Sequence, residues 1–227
     1  MRSAGLFAIP IICAVLGVPL LCAGDLSSYR GIRLGANLTA VAEQANINPV
    51  QVRTVHQRPD VIQEMDWQPR QLVMGEQAAA DPVSKGLLCF LNGDLFRIVI
   101  TYDRYKVEGM TAEDMIEGIS TAYGQATRPT AEIAYHSIYG ESAPVVARWE
   151  DSQYSADLVQ TGDRHSFAMV IYSKRLDALA QAAITVAARL DAQEAPQRAL
   201  EQQQKHDLDE RLALEKSRTV NKLNFHP

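Results

Sequence analysis

Between residues 35 and 173 the chain consists mainly of short apolar or alternating runs bounded by turn residues, a pattern typical of β-strands. In the first half of this region one helical segment precedes the strands, because Asn37 can cap a helix that Asn46 can end. Asn92-Gly93 between two apolar runs is a strong signal for a β-hairpin. Four strands are predicted here, at 52–57, 61–67, 85–91 and 95–102.

The second half of the region repeats this order of one helix and four strands. Thr111 and Asp114 can form a capping box at the start of a helix that Gly124 can end. Trp67 and Trp149 each fall late in the second strand of their half, which indicates an ancient duplication of a unit of about 65 residues. The four strands are predicted at 131–138, 144–150, 153–160 and 165–173.

These elements predict an α+β fold built from two tandem units, each a helix plus four strands, at 25–106 and 107–175. The strands form either two antiparallel sheets or one continuous sheet of about eight strands, backed by helices. A C-terminal helical extension is predicted over 176–218, followed by a disordered tail at 219–227.

The helical extension changes character at Ala195-Pro196. Before this point, apolar residues at helical spacing between Leu176 and Leu190 form a broad face that can pack on the domain. Pro196 predicts a kink or a break, because proline cannot donate the helical hydrogen bond. Residues 197–218 are rich in Gln, Glu, Lys and Asp, which leaves two hypotheses open: a solvated helix, or a helix that binds a partner or forms a coiled coil.

The first 24 residues predict a cleavable signal peptide. A short basic leader precedes an apolar run of fewer than about 18 residues, and Ala23 or Gly24 offers a small residue for cleavage. The mature chain is therefore expected outside the cytoplasm, either periplasmic or secreted, and without a transmembrane span. Lipid attachment at Cys22 and an uncleaved membrane-tethering helix are the two alternatives.

The charge and the cysteine content of the chain limit which partners and which cross-links are expected. The full chain has a formal net charge of −5 and no basic stripe, which argues against nucleic acid as a partner. Of its three cysteines, only Cys89 lies outside the predicted signal, so the mature chain has no internal disulfide. Cys89 is flanked by Leu and Phe and is expected to be a buried small hydrophobe.

No standard catalytic motif occurs in the sequence, so catalytic, cofactor-binding and metal-binding residues are all predicted to be absent. The histidines lack metal-ligand spacing, and Gly140-Glu141-Ser142-Ala143-Pro144 lacks the second glycine of a nucleophile elbow. An enzyme would have to be assembled from scattered carboxylates and histidines. The candidates for such a hydrolase are Glu64, Asp66, Glu150, His136 and His165.

Four residues form a candidate contact patch, because Tyr, Trp and Arg are favoured at recognition surfaces. They are Tyr102, Arg104, Tyr105 and Trp149. The alternative for the tryptophans is that Trp67 and Trp149 are paired core anchors of the two units.

The stretch Tyr29-Arg30-Gly31-Ile32-Arg33-Leu34-Gly35, followed by Leu38-Thr39-Ala40-Val41, resembles the opening of small exported bacterial proteins. The tandem layout is similar to the β-lactamase inhibitor protein fold, and each half resembles the outer-membrane-assembly lipoproteins of the SmpA/OmlA type. These resemblances imply a protein-binding role in the envelope, with a sheet face as the contact surface. The stretches 148–155 and 173–179 look like those of uncharacterised exported bacterial proteins, a likeness that implies no activity.

Three functional hypotheses follow. The first is an exported, non-enzymatic module that binds another protein or an envelope component through a sheet face or the polar C-terminal helix. The second is an extracytoplasmic hydrolase, which requires a concave pocket where its carboxylates and histidines converge. The third is a structural envelope factor whose charged C-terminal helix oligomerises.

Overall fold

The computed structural model of the chain describes residues 24–69, 81–129, 134–139, 141–161 and 166–224. The predicted signal segment up to residue 23, including Cys22, and His165 lie outside these residues. The first described elements are the short strands β1 (Ser28–Tyr29) and β2 (Ile32–Arg33), which pair antiparallel and were not predicted. Gly31 between them has a φ of 85°, a conformation that glycine adopts without strain.

Helix α1 (Leu38–Ala45) begins and ends where the sequence predicts. The Asn37 side chain accepts a hydrogen bond from the Ala40 amide at 2.9 Å, and Asn46 ends the helix with a left-handed φ of 55°. A single 3₁₀ turn (Pro49–Gln51) follows. The helix buries Val41 and Ala42 against the sheet.

The four predicted strands of the first unit are present. The hairpin at Asn92-Gly93 is confirmed, since both residues have the positive φ, 51° and 90°, that the tight two-residue turn requires. Trp67 is a core anchor, and Gly86 lies opposite it on the next strand. The position requires glycine because a Cβ there would lie 2.5 Å from the indole ring. The strands are β3 (Arg53–His56), β4 (Ile62–Trp67), β5 (Val83–Leu91) and β6 (Asp94–Tyr102).

The second unit opens with helix α2 (Ala112–Tyr123). Its capping box is confirmed, with Thr111 and Asp114 exchanging side-chain to backbone hydrogen bonds, and Gly124 is the C-cap. Residues 131–133, at the start of the first predicted strand, lie outside the described residues. The strands are β7 (Ala134–His136), β8 (Ser142–Glu150), β9 (Tyr154–Thr161) and β10 (Ser166–Ser173).

Strands β3 to β10 form one antiparallel sheet in the order β3-β4-β5-β6-β10-β9-β8-β7. The last strands of the two units, β6 and β10, pair at the centre, with Val99 opposite Val170. The strand order of the second unit therefore mirrors that of the first. This arrangement confirms the α+β class and decides between the two predicted layouts in favour of a single sheet.

Side chains alternate between the two faces of this sheet, as the period of two requires. On β10, Phe167 and Met169 join the core that α1 and α2 cover, while Ala168 and Val170 lie on the opposite face. The first-face core includes the following strand residues: Met65, Trp67, Leu88, Phe90, Ile98, Ile100, Trp149 and Leu158. We call the other side the second face.

The start of the C-terminal helix covers part of the second face. Leu176, Ala180 and Ala183 pack against side chains of the first unit, including Cys89 and Phe96. A register shift between β5 and β6 near Cys89 accommodates Phe96 beside this helix. Burial of these apolar side chains at about 25 cal/mol per Å² stabilises the contact.

Helix α3 runs without a break from Lys174 to Asn224, a length of 51 residues or about 75 Å. The predicted break at Pro196 is therefore wrong, and residues 219–224 are helical rather than a disordered tail. The part of α3 that contacts the rest of the domain ends at Glu194, and we call the rest of the domain the body. Every residue from Ala195 to Asn224 whose burial the structure describes is exposed, and we call this stretch the projecting segment.

Ion pairs on both sides of Pro196 explain why the helix continues through it. Arg198 contacts Asp191 at 3.1 Å and Glu194 at 2.7 Å, and Glu194 also binds Arg58 of the β3–β4 turn. These contacts connect the turn before the proline to the turn after it, where one backbone hydrogen bond is missing. Hydrogen bonds from Arg58 and Arg198 lower the pKa of Glu194 to about 2.

We expect Glu194→Gln to increase fraying around Pro196, because the neutral amide loses both ion pairs. The backbone amides of Ala195 and of residues 197–200 should exchange with deuterium roughly twofold faster. The depressed pKa of Glu194 means that its contribution is present above its ordinary value of 4.5 and is lost as the pH falls through about 2. Glu201→Gln, which removes an acid bonded only to Gln197, is the matched control. Equal exchange rates in the two variants would contradict this explanation.

Candidate functional site

Five polar side chains and one cysteine form a continuous row across the second face. Successive members lie directly opposite one another on neighbouring strands, from the edge strand β3 into the second unit. Buried polar groups must be hydrogen-bonded to be tolerated, so such a row is costly unless its members pair. We call this set the polar row; it comprises Arg53, Glu64, Cys89, Arg97, Tyr172 and Ser155.

Arg97 is the centre of the polar row and is only 3% exposed. Its Nε donates to Asp177 Oδ1 of α3 at 2.7 Å, and its Nη1 donates to the His136 carbonyl of β7 at 2.8 Å. The guanidinium carbon lies 5.4 Å from the centre of the Phe96 ring and 5.1 Å from that of Tyr135. One side chain therefore connects β6, β7 and α3.

Burial and charge act in opposite directions on this ion pair. Burial raises the pKa of Asp177, and the nearby positive charge of Arg97 opposes that rise. Burial alone would lower the pKa of Arg97, but the charge of Asp177 outweighs it and the net direction is upward. Both groups are thus held charged chiefly by each other.

A second charged cluster lies in the second unit on the same face. Asp157, nearly inaccessible, accepts two hydrogen bonds from Arg148, at 2.7 and 2.8 Å. The hydroxyls of Tyr172 and Ser155 also approach this carboxylate, at 3.2 and 3.3 Å. Hydrogen bonding to Asp157 raises the pKa of Arg148. The Asp157 carboxylate is therefore fully satisfied, which is typical of a structural ion pair.

Glu64, near the β3 edge, is 1% exposed and bonded through one oxygen only. Its Oε1 accepts from Arg53 Nε at 2.8 Å and from the Tyr139 hydroxyl, whereas its buried Oε2 has no partner. Desolvation and this hydrogen bond raise the pKa of Tyr139 to about 12. Asp66 is exposed and lies 3.2 Å from Arg53 Nη2. Glu64 is therefore buried, although Asp66 lies only two residues further along β4 and is exposed.

Of the five hydrolase candidates, the four that the structure describes, Glu64, Asp66, Glu150 and His136, are not brought together in one group. Glu64 and Asp66 meet only at Arg53, and Glu150 pairs with Lys174 at 2.6 Å. His136 is exposed, and it is its backbone carbonyl that binds Arg97. A cleft of about 290 Å³ beside the start of α3 contains none of the candidates. Among the described residues, no three His, Cys, Asp or Glu side chains are grouped to hold a metal ion.

The predicted contact patch is not one surface. Trp149 is 2% exposed and donates to the Gly124 carbonyl at 3.0 Å, so it is a core anchor, as the alternative interpretation held. The Tyr102 hydroxyl is partly buried against the Met169 sulfur at 3.6 Å. Arg104 lies over the ring of Tyr105, which is 75% exposed. A partner contact at Arg104 and Tyr105 stays a prediction.

Sequence reasoning missed the charged residues that organise the second face. Arg97 interrupts the apolar run of β6, which was the available signal, whereas Asp157 and Asp177 each lie two residues after another polar residue, Ser155 and Arg175. A charge within an apolar run indicates a buried pair, but its partner is set by tertiary structure.

The projecting segment of α3 is the other unusual feature. Five large apolar side chains on it are at least half exposed: Leu200, Leu208, Leu212, Leu214 and Val220. No described helix, α3 included, carries an apolar stretch long enough to cross a membrane.

Comparison with known proteins adds no relative: no protein family, no curated protein and no solved structure matches this chain. The resemblances in layout noted from the sequence therefore stay predictions.

We expect Arg97→Met to destabilise the fold by about 3–5 kcal/mol, because Asp177 would be left as an unpaired buried charge. Arg97→Met combined with Asp177→Leu should recover much of this loss, since the double variant leaves neither partner of this pair as an unpaired charge. Urea unfolding followed by circular dichroism measures both. If the double variant is no more stable than Arg97→Met alone, Arg97 does not act on stability through its ion pair with Asp177.

Cys89 should be inert in the folded protein, because burial raises the pKa of its thiol to about 12 and the side chain is 1% exposed. We expect a thiol-specific reagent to label it only after unfolding. Labelling measured across a urea series should follow the loss of helical signal. Rapid modification of the native protein would show that the second face opens locally.

Proposed function

We propose that the chain is an exported, non-enzymatic binding module whose contact surface is the projecting segment of α3. The observation that carries this proposal is a helical segment of 30 residues, 195–224, whose described side chains are all exposed. A polar helix without tertiary contacts is only marginally stable in water, since helical stability in proteins comes mostly from packing. A partner packed on this segment would supply the missing contacts.

The sheet offers less surface for binding than the helix. Its first face is covered by α1 and α2, and α3 packs on the first-unit half of its second face. In the second unit, Val145, Val159, Ala168 and Val170 of the second face are buried as well. The helix is thus the element on which exposed large apolar residues recur.

The ion pairs beside Pro196 support the proposal that the body presents α3 to a partner. Arg58 of the β3–β4 turn binds Glu194, and His56 Nδ1 lies 3.9 Å from Asp191. These contacts hold α3 at the point where it leaves the sheet. A module that presents a helix needs such a fixed base, because a rigid presenter loses less conformational freedom when a partner binds.

Export is part of the proposal and rests on the sequence of residues 1–24. The apolar run and the small residues Ala23 and Gly24 support cleavage, and a chain that keeps only a buried Cys89 needs no disulfide in an oxidising compartment.

Mass spectrometry of the mature N-terminus tests this part. We expect the chain to begin at Gly24 or Asp25, with no lipid. A diacylglyceryl group on Cys22 would instead place the protein at a membrane surface, and an intact Met1 would show that the segment is retained.

Affinity capture from the extracytoplasmic fraction tests the binding surface. The wild-type chain and a variant carrying Leu200→Gln, Leu208→Gln and Leu212→Gln serve as matched baits at physiological salt. We expect a protein that binds the wild type directly and is lost with the variant, because buried apolar anchors carry most of the binding energy of an interface. Equal recovery on both baits, or no specific protein on either, further copies of this chain included, would overturn the assignment of this surface.

A further inference from the structure

We propose that the occupant of the projecting segment is a second copy of this chain, with the two helices crossing antiparallel near residue 210. This inference rests on the proposed function, since it names the partner of the same surface. Three properties of the segment coincide at that point: the boundary between two charge blocks, a pair of exposed leucines, and the midpoint of the segment.

The charge blocks are opposite and equal. Residues 201–210 contain four carboxylates and one lysine, a net charge of −3, with histidine counted neutral. Residues 211–222 contain four basic side chains and one glutamate, a net charge of +3. An antiparallel pair places each acidic block beside the basic block of the other copy, whereas a parallel pair places like charges together.

The charge blocks of two packed helices lie close enough to interact at physiological ionic strength. Packed helices lie about 8–10 Å apart, and the Debye length at physiological ionic strength is about 8 Å. The interaction between blocks is therefore reduced but not abolished by salt. It favours the antiparallel orientation and disfavours the parallel one.

Exposed apolar side chains of the projecting segment form a ridge that passes through the proposed crossing point near residue 210. Leu200, Leu208, Leu212 and Val220 belong to one row of residues spaced four apart, and they are 50–56% exposed. Gln204 and Lys216 occupy the remaining positions of the row. Rows of this kind interdigitate when two helices cross at about −50°, which concentrates the contact at the crossing point. Leu208 and Leu212 are the members nearest to residue 210.

The lengths on either side of the crossing allow both bodies to fit. The body-packed part of α3 ends at Glu194, 16 residues before residue 210 or about 24 Å along the helix. The helix continues 14 residues beyond that point, to Asn224. In the antiparallel pair the two bodies therefore lie at opposite ends, and each helix end reaches toward the other body without overlapping it.

Sedimentation over a range of protein concentrations tests the association, with the full mature chain as the only component. We expect a monomer–dimer equilibrium. Leu208→Glu combined with Leu212→Glu should weaken it roughly tenfold or more, because charges would enter the apolar centre of the contact. Leu214→Glu is the matched control, since Leu214 is 64% exposed and lies on a different side of the helix. Raising the salt concentration should weaken the dimer further through the charge blocks.

The orientation is measured separately, with a spin label on Ala199→Cys, because buried Cys89 stays unlabelled. An antiparallel crossing places the two labels about 30 Å apart, and a parallel one places the two backbones within about 20 Å. A short distance would overturn the antiparallel pairing. A monomer at every concentration, or a dimer as sensitive to Leu214→Glu as to the double variant, would overturn self-association. The proposed function is tested separately by affinity capture. It would still hold after either of these outcomes if the wild-type bait captured a different protein that the triple leucine variant did not.

Discussion

The buried contact between Arg97 and Asp177 is the interaction on which the arrangement of this fold depends. A charged pair in an apolar interior adds little net stability over a well-packed apolar pair, but removing either partner alone is costly. Here Arg97 lies on β6, Asp177 lies one turn into α3, and the same guanidinium binds the backbone of β7. The pair thus fixes where α3 begins on the sheet, and the direction in which the helix then leaves it.

Features set by neighbouring residues could be predicted from the sequence. The Asn37 cap, the Asn92-Gly93 turn and the capping box at Thr111 each arise within a few residues, and each is present. Features that depend on contacts distant in sequence could not. The continuity of α3 through Pro196 involves Arg58, 136 residues before its partner Glu194, and no local pattern contains that contact.

The same distinction applies to the candidate sites. The absence of catalytic motifs was read from the sequence, but the polar row exists only because six neighbouring strands pair in one register. Glu64 and Cys89 are 25 positions apart in the chain and directly opposite in the sheet. A single sequence cannot give that register. Trp149 was ambiguous for a similar reason, since its burial depends on α2 covering the first face.

The mirrored strand order has a consequence for how such a chain could have arisen. A single helix-plus-four-strand unit would leave β6 as an unpaired edge at the side where β10 now lies, and exposed apolar edges associate with other edges. Two identical units joined at that edge would form a two-fold symmetric dimer with an eight-stranded sheet. The present chain has the strand layout of such a dimer within one polypeptide. Its two halves are not equivalent, because only the second is followed by a helix that extends far beyond the sheet.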